Sequence, residues 1–356
     1  MLNSITSIEN NKNIKFTSSE NLPQVYGADK FIQDVNKTVK LEEQGDIFAR
    51  NMWSQSAIIT PAIGILGYET KMLYSIKRAK KAGDLDKLVN LRAKLSKRIL
   101  PYTALAIVVA GGLEYIFSRN KEAKIEKFKQ EFNEINTQTD AKLADRTFCS
   151  SIKGAYCSPI SGEITVNKSM ILDPYMRYKS KKLIKHELVH AKQYETIARS
   201  KDGIKKLNYA CVKNISKLLD NPQARTEITQ IFNDIQNDKT GKYDNYQLQI
   251  SGAKVDLKKY ITALHTALNN KDFGTDDIPV IIDEAHYQEV IDKKGKLTPE
   301  EEVMAEKYLD AQINYPALTV WNMLNPFSAY YNNLLEREAY KENPGFYGFI
   351  RKTFGY

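Results

Sequence analysis

Cysteine is scarce: Cys149, Cys157 and Cys211 are the only three in 356 residues. Their odd number and irregular spacing exclude a disulfide scaffold and a CxxC metal site. They read as free thiols, although Cys149 and Cys157 could pair in an oxidising compartment. No internal repeat is visible. No basic segment followed by an apolar core opens the chain, so no cleavable signal peptide is expected. Asparagine and serine crowd the first twenty residues instead, and residues 1–50 are expected to form a polar, loosely structured lead with one helix near Asp29–Gln44.

Unbalanced charge is also confined to one place. The net charge is +9, yet the segment from Lys71 to Arg98 carries ten Lys/Arg against two Asp and accounts for nearly all of it. The remainder is close to neutral and shows no basic patch interleaved with aromatics, so a nucleic-acid partner is not expected. Two apolar stretches flank the basic segment. Asn51 to Tyr68 is 18 residues without a charge, and Ile99 to Ser118 is 20 residues with Glu114 alone. At about 1.5 Å per residue each is just long enough to cross a hydrocarbon core of about 30 Å. Trp53, Tyr68, Tyr102 and Tyr115 sit near the ends, where the membrane interface favours aromatics. Residues 51–118 are therefore read as an apolar, transmembrane helical hairpin whose basic loop, 71–98, meets anionic lipid headgroups. A pair of buried helices in a soluble domain is the competing reading. Cations in the loop and its flanks, ten against eight, set no orientation.

Histidine is the other scarce residue, with four in the chain, and two of them fall in one five-residue motif, His186-Glu187-Leu188-Val189-His190. Chance would place HExxH in such a chain with a probability on the order of a few in a thousand. On a helix the imidazoles at i and i+4 stack on one face and can share a tetrahedral ion, with Glu187 beside them as a general base. The surroundings support a helix from about Ser180 to Ser200, since Ile184, Leu188, Ala191, Ile197 and Ala198 recur at helical spacing among solvated lysines. The motif is the layout of a zinc hydrolase. Catalytic zinc takes three protein ligands and keeps a fourth position for water, so one ligand is missing. His265 lies in an apolar helical run and reads as a core residue; His286 reads as a helix-start or surface residue.

HELVH followed by the later segment Leu335-Glu336-Arg337-Glu338-Ala339-Tyr340 resembles the gluzincin branch of zinc metallopeptidases, and within it the HtpX-like membrane peptidases. The resemblance is specific over HELVH, moderate over the Glu336 segment and confined to the catalytic core. It implies Glu336 as third ligand, with Ala339 at +3, and puts Tyr340 where the family has an Asp that holds a ligand histidine. Glu338 is the alternative ligand. A tyrosine hydroxyl at 340 could hydrogen-bond a histidine Nδ1 or a nearby carbonyl. Tyr330, Tyr331, Tyr340 and Arg337 are the nearest groups for stabilising an oxyanion. The resemblance also assigns Cys157–Asn167, with its β-prone Ile164-Thr165-Val166, to the edge of a cleft on which an extended peptide could pair; a plain structural hairpin is the other reading.

These readings imply a mainly α chain: a zincin-like metallopeptidase domain with a small β element over 149–356, preceded by the apolar hairpin and by an amphipathic connector at 119–148, helical to about Asn136. A helical insertion, about 201–320, separates the second histidine from Glu336. Thr298 should cap a helix starting at Pro299. The function expected is membrane-associated, Zn2+-dependent hydrolysis of peptide or protein substrates, with Glu187 catalytic and His186, His190 and Glu336 holding the ion. A non-catalytic membrane scaffold with a vestigial HExxH is the rival, and a soluble zinc peptidase a third reading.

Overall fold

The computed structural model describes residues 27–44, 121–145, 147, 154–172, 174–250, 253–316 and 328–342, with scattered residues between 74 and 112. The described chain is mainly helical. The apolar stretches at 51–68 and 99–118 lie almost wholly outside the described residues, as does Cys149. Among the described residues no helix is long and apolar enough to cross a membrane.

Helices α1 (Ala28–Gln44) and α2 (Lys121–Ile135) precede the centre of the fold, with scattered helical residues described between them. The expected connector thus stops at Ile135. A turn held by Asn136, whose side chain accepts from Thr139 and donates to the Ala141 carbonyl, leads into β1 (Lys142–Leu143). Strands β2 (Ala155–Cys157) and β3 (Glu163–Val166) follow. Their order is β1-β3-β2, with β1 parallel and β2 antiparallel to β3, and Ile164 pairs with Leu143 on one side and Cys157 on the other. The strand read as a cleft edge is therefore internal over Glu163–Ile164, and the same segment begins at Cys157 in the edge strand β2. Glu163 and Ile164 have a partner on each side, while Thr165 and Val166 are paired among the described residues with β2 alone; β2 is the edge that lies against the HExxH helix. The β2–β3 turn uses Gly162 at φ 69°, in the left-handed region where a side chain is strained.

After α3 (Lys168–Leu172), helix α4 (Pro174–Arg199) carries the motif and is longer at its start than periodicity alone indicates. One face buries Ile184, Leu188, Ala191, Ile197 and Ala198, while Lys181, Lys182, Lys185 and Lys192 stay in solvent. Gly203 closes the corner into α5 (Gly203–Leu218). A Cβ there would lie 2.1 Å from the Ile197 carbonyl oxygen, so only glycine lets the two helices meet this tightly.

The described part of the 201–320 segment packs into the same core as the motif helix. Helices α5, α6 (Pro222–Gln236), α7 (Leu257–Asn269), α8 (Glu284–Lys294) and α9 (Pro299–Ile313) share one continuous core with α4 and the three-stranded sheet. A two-stranded hairpin, β4 (Gln247–Ile250) with β5 (Ala253–Asp256), interrupts them. Thr298 caps α9 as expected, in a capping box with Glu301 and with Pro299 in the first turn. Two helices end the described chain, α10 (Ala329–Asn332) and α11 (Leu334–Glu342). Both α9 and α11 pack directly on α4. That seam, far apart in sequence, is where the motif acquires its partners.

Candidate metal centre

Helical geometry puts His186 and His190 on the same side of α4, and α11 approaches that side with Leu335 and Ala339 fully buried and Glu336 turned inward between them. His186, Glu187 and His190 are each 5% exposed and Glu336 2%. A carboxylate so deeply buried requires a cation or a full set of donors. The two imidazole Nε2 atoms lie 3.2 Å apart. Glu336 Oε2 is 3.3 Å from His186 Nε2, and Glu336 Oε1 is 3.4 Å from His190 Nε2. Around a tetrahedral ion with bonds of ~2.1 Å, ligand atoms are separated by ~3.4 Å. The three side chains thus form a buried group that could hold a metal ion. Glu336 Oε2 has no aligned hydrogen-bond donor.

The donor set fits zinc in kind, with two neutral imidazoles and one carboxylate. The same three groups settle the proton balance without an ion. Burial pushes the His190 imidazolium towards release, but the adjacent Glu336 carboxylate overrides it and raises His190 to about 9. Glu336 is correspondingly held below the usual carboxylate range: burial opposes its charge, and the paired histidines outweigh burial. Raised above its unfolded value of ~6.5, His190 contributes stability to the ion-free protein that is complete below that value and disappears as pH rises through about 9. An ion must displace this proton. Zinc uptake at pH 7.5 is expected to release about one proton per site, read from calorimetric titrations in buffers of different ionisation enthalpy.

The surrounding groups are arranged unequally. His190 Nδ1 contacts Gln193 Oε1 at 3.0 Å, and Gln193 Nε2 donates to the Leu335 carbonyl at 3.2 Å and to Glu338 Oε2 at 3.3 Å. Tyr308 of α9 donates to the same Glu338 oxygen at 2.7 Å. His186 Nδ1, by contrast, has no hydrogen-bond partner among the described residues. Tyr340 does not reach it as a hydroxyl donor. Its ring instead packs edge to face on the His186 ring, with centroids 4.6 Å apart. Tyr194 stacks on His190 from the next turn of α4.

Tyr315 donates to Glu336 Oε1. Burial and the Glu336 charge hold the Tyr315 phenol well above its ordinary range, so it remains a donor. Tyr330, Tyr331 and Tyr340 continue from it as an aromatic chain ending on His186. Arg337 is exposed.

Glu187 lies on the sheet side. Its Oε2 accepts from the Cys157 backbone N–H at 2.8 Å, capping the outward-facing amide of the β2 edge. Among the described residues this is the hydrogen bond of the Glu187 side chain, and it engages Oε2 and not Oε1. Cys157 and Cys211 are free and buried, and burial raises both thiols, with Glu187 adding to the effect at Cys157.

The structure therefore brings together His186, Glu187, His190 and Glu336 and places Glu338 one layer out, against Gln193 and Tyr308. His265 stacks on Phe232 with centroids 4.0 Å apart, as a packing residue. His286 sits in the first turn of α8 against Gly162. Both are apart from the triad. The sequence reading missed Gln193, Tyr308 and Tyr315. Gln193, at +3 from His190 on one helix, was open to discovery by spacing; the tyrosines carry no local signal. No family model, curated protein or solved structure matches the chain.

Proposed function

We propose that this protein is a zinc-dependent metallopeptidase of zincin-like architecture, attached to a membrane through the apolar stretches of residues 51–118, and that it hydrolyses peptide bonds. The observation that carries the reading is the convergence of His186 and His190 with Glu336, 146 residues away in sequence, beside a carboxylate with one oxygen uncommitted. A structural ion needs a closed ligand shell, whereas two imidazoles and a carboxylate leave a fourth position open.

A bound zinc ion would supply Lewis acidity and bring the pKa of a coordinated water towards about 7. The chain's own residues do the rest. Glu187 takes the proton from the attacking water on its uncommitted oxygen and passes it to the leaving amine, while the Cys157 N–H fixes the other oxygen. Tyr315 holds Glu336 in place, and the Tyr340 ring packs against His186 and limits how that imidazole can turn. The basic 71–98 segment fits anionic headgroups.

The test is cleavage of an unstructured protein such as casein by purified protein carrying one zinc per chain. Activity should vanish with 1,10-phenanthroline and return on adding zinc. Full activity in protein shown to be free of metal would overturn the proposal.

A further inference from the structure

A histidine can offer a lone pair at Nε2 only when its proton resides on Nδ1, and which tautomer prevails is set by the group facing Nδ1. At His190 that group is an amide, which presents either an acceptor or a donor depending on how it is turned. Here the orientation is forced. Gln193 Nε2 faces two acceptors, the Leu335 carbonyl and Glu338 Oε2, and turning the amide over would set its oxygen against both. Oε1 is left facing His190 Nδ1 at 3.0 Å. Glu338 is itself fixed by the Tyr308 hydroxyl.

Resting on the metal reading above, we infer that Gln193 is the positioning residue of His190, with Glu338 and Tyr308 as its anchors. The relay Tyr308–Glu338–Gln193–His190 selects the Nδ1-protonated tautomer and aims Nε2 at the ion. It joins three helices: α9 supplies the hydroxyl, α11 the carboxylate and carbonyl, and α4 the amide and imidazole. Docking of α9 is thereby coupled to ion affinity, although no residue of α9 belongs to the triad. Gln193, Glu338 and Tyr308 all border a cavity of about 450 Å3, but Tyr308 is only half-buried whereas Gln193 is buried, so truncation at Tyr308 disturbs the core less than truncation at Gln193.

The zinc dissociation constant, measured by competition with a chromophoric chelator, and the visible spectrum of the Co2+-substituted protein read this role apart from activity. Gln193→Leu is expected to weaken zinc by roughly 10–100-fold and to alter the Co2+ bands. Glu338→Leu should weaken it in the same direction, and Glu338→Gln, which keeps an acceptor oxygen, should stay within about threefold of wild type. The double variant Gln193→Leu/Glu338→Leu should be little worse than Gln193→Leu alone, because both act through one path. A folded Gln193→Leu protein binding zinc within about threefold of wild type would overturn the relay. So would losses that multiply in the double variant. Should Gln193→Leu fail to fold, Tyr308→Phe carries the test: a severalfold loss supports the relay and an unchanged constant overturns it. Zinc bound in this Gln193-dependent manner without peptide cleavage removes only the hydrolytic reading; a wild-type protein that binds no ion removes both.

Discussion

Replacing Glu187 with Gln is expected to leave the metal in place and to lower peptide hydrolysis by roughly 10²–10⁴-fold. Gln is nearly isosteric with Glu, and its carbonyl oxygen can still accept the Cys157 N–H that Glu187 Oε2 accepts now. The β2 edge keeps its cap and the fold is retained. What disappears is the uncommitted basic oxygen, because an amide cannot take a proton from water at neutral pH. Zinc content per chain and the rate of casein cleavage, measured on one preparation, separate these effects. Loss of both would make Glu187 structural. A protein whose cellular role survives the substitution unchanged would favour the scaffold reading.

The second large effect is expected at Glu336. Glu336→Ala should weaken zinc by more than about 100-fold, since it removes a ligand and not merely a group that orients one. It also leaves the Tyr315 hydroxyl without its acceptor and withdraws the charge that keeps His190 protonated in the ion-free protein. The chain holds a built-in control two residues on. Glu338 belongs to the same helix and has the same chemistry, but its contacts are Tyr308 and Gln193. Glu338→Ala should retain stoichiometric zinc at micromolar concentrations where Glu336→Ala does not, as measured by metal content after gel filtration. Equal loss in the two variants would mean that the assignment of ligand and anchor is wrong.

Much of this centre was legible because its strongest elements are local. HExxH depends on i,i+4 spacing on a helix with a clear apolar face, and α4 realises both. Thr298 and Pro299 announce α9 through capping chemistry that acts within one turn. Glu336 could be named only through a family resemblance, since nothing in its own helix distinguishes it from Glu338; burial does, and burial follows from how α11 docks. The sheet was half legible. Ile164–Val166 has strand propensity, but the second partner of this strand, Lys142–Leu143, is two residues long and carries no alternation, so the internal position of Glu163–Ile164 had no local sign. The β4–β5 hairpin went unread inside a segment taken as helical. Tyr308 and Tyr315 reach the centre through tertiary packing alone.

The distance along the chain between the two halves of the centre has a kinetic consequence. Both histidines and Gln193 arrive together on a single helix, but the third corner waits for closure of a loop of 146 residues, and such long-range closure comes late where entropy has to be spent before contacts repay it. A nascent chain offers an ion only two imidazoles. An ion bound there is therefore expected to act after the rate-limiting step, bolting α11 to α4 once they have met: unfolding should be slower in the presence of zinc and the refolding rate nearly unchanged, as read by stopped-flow kinetics with and without the metal.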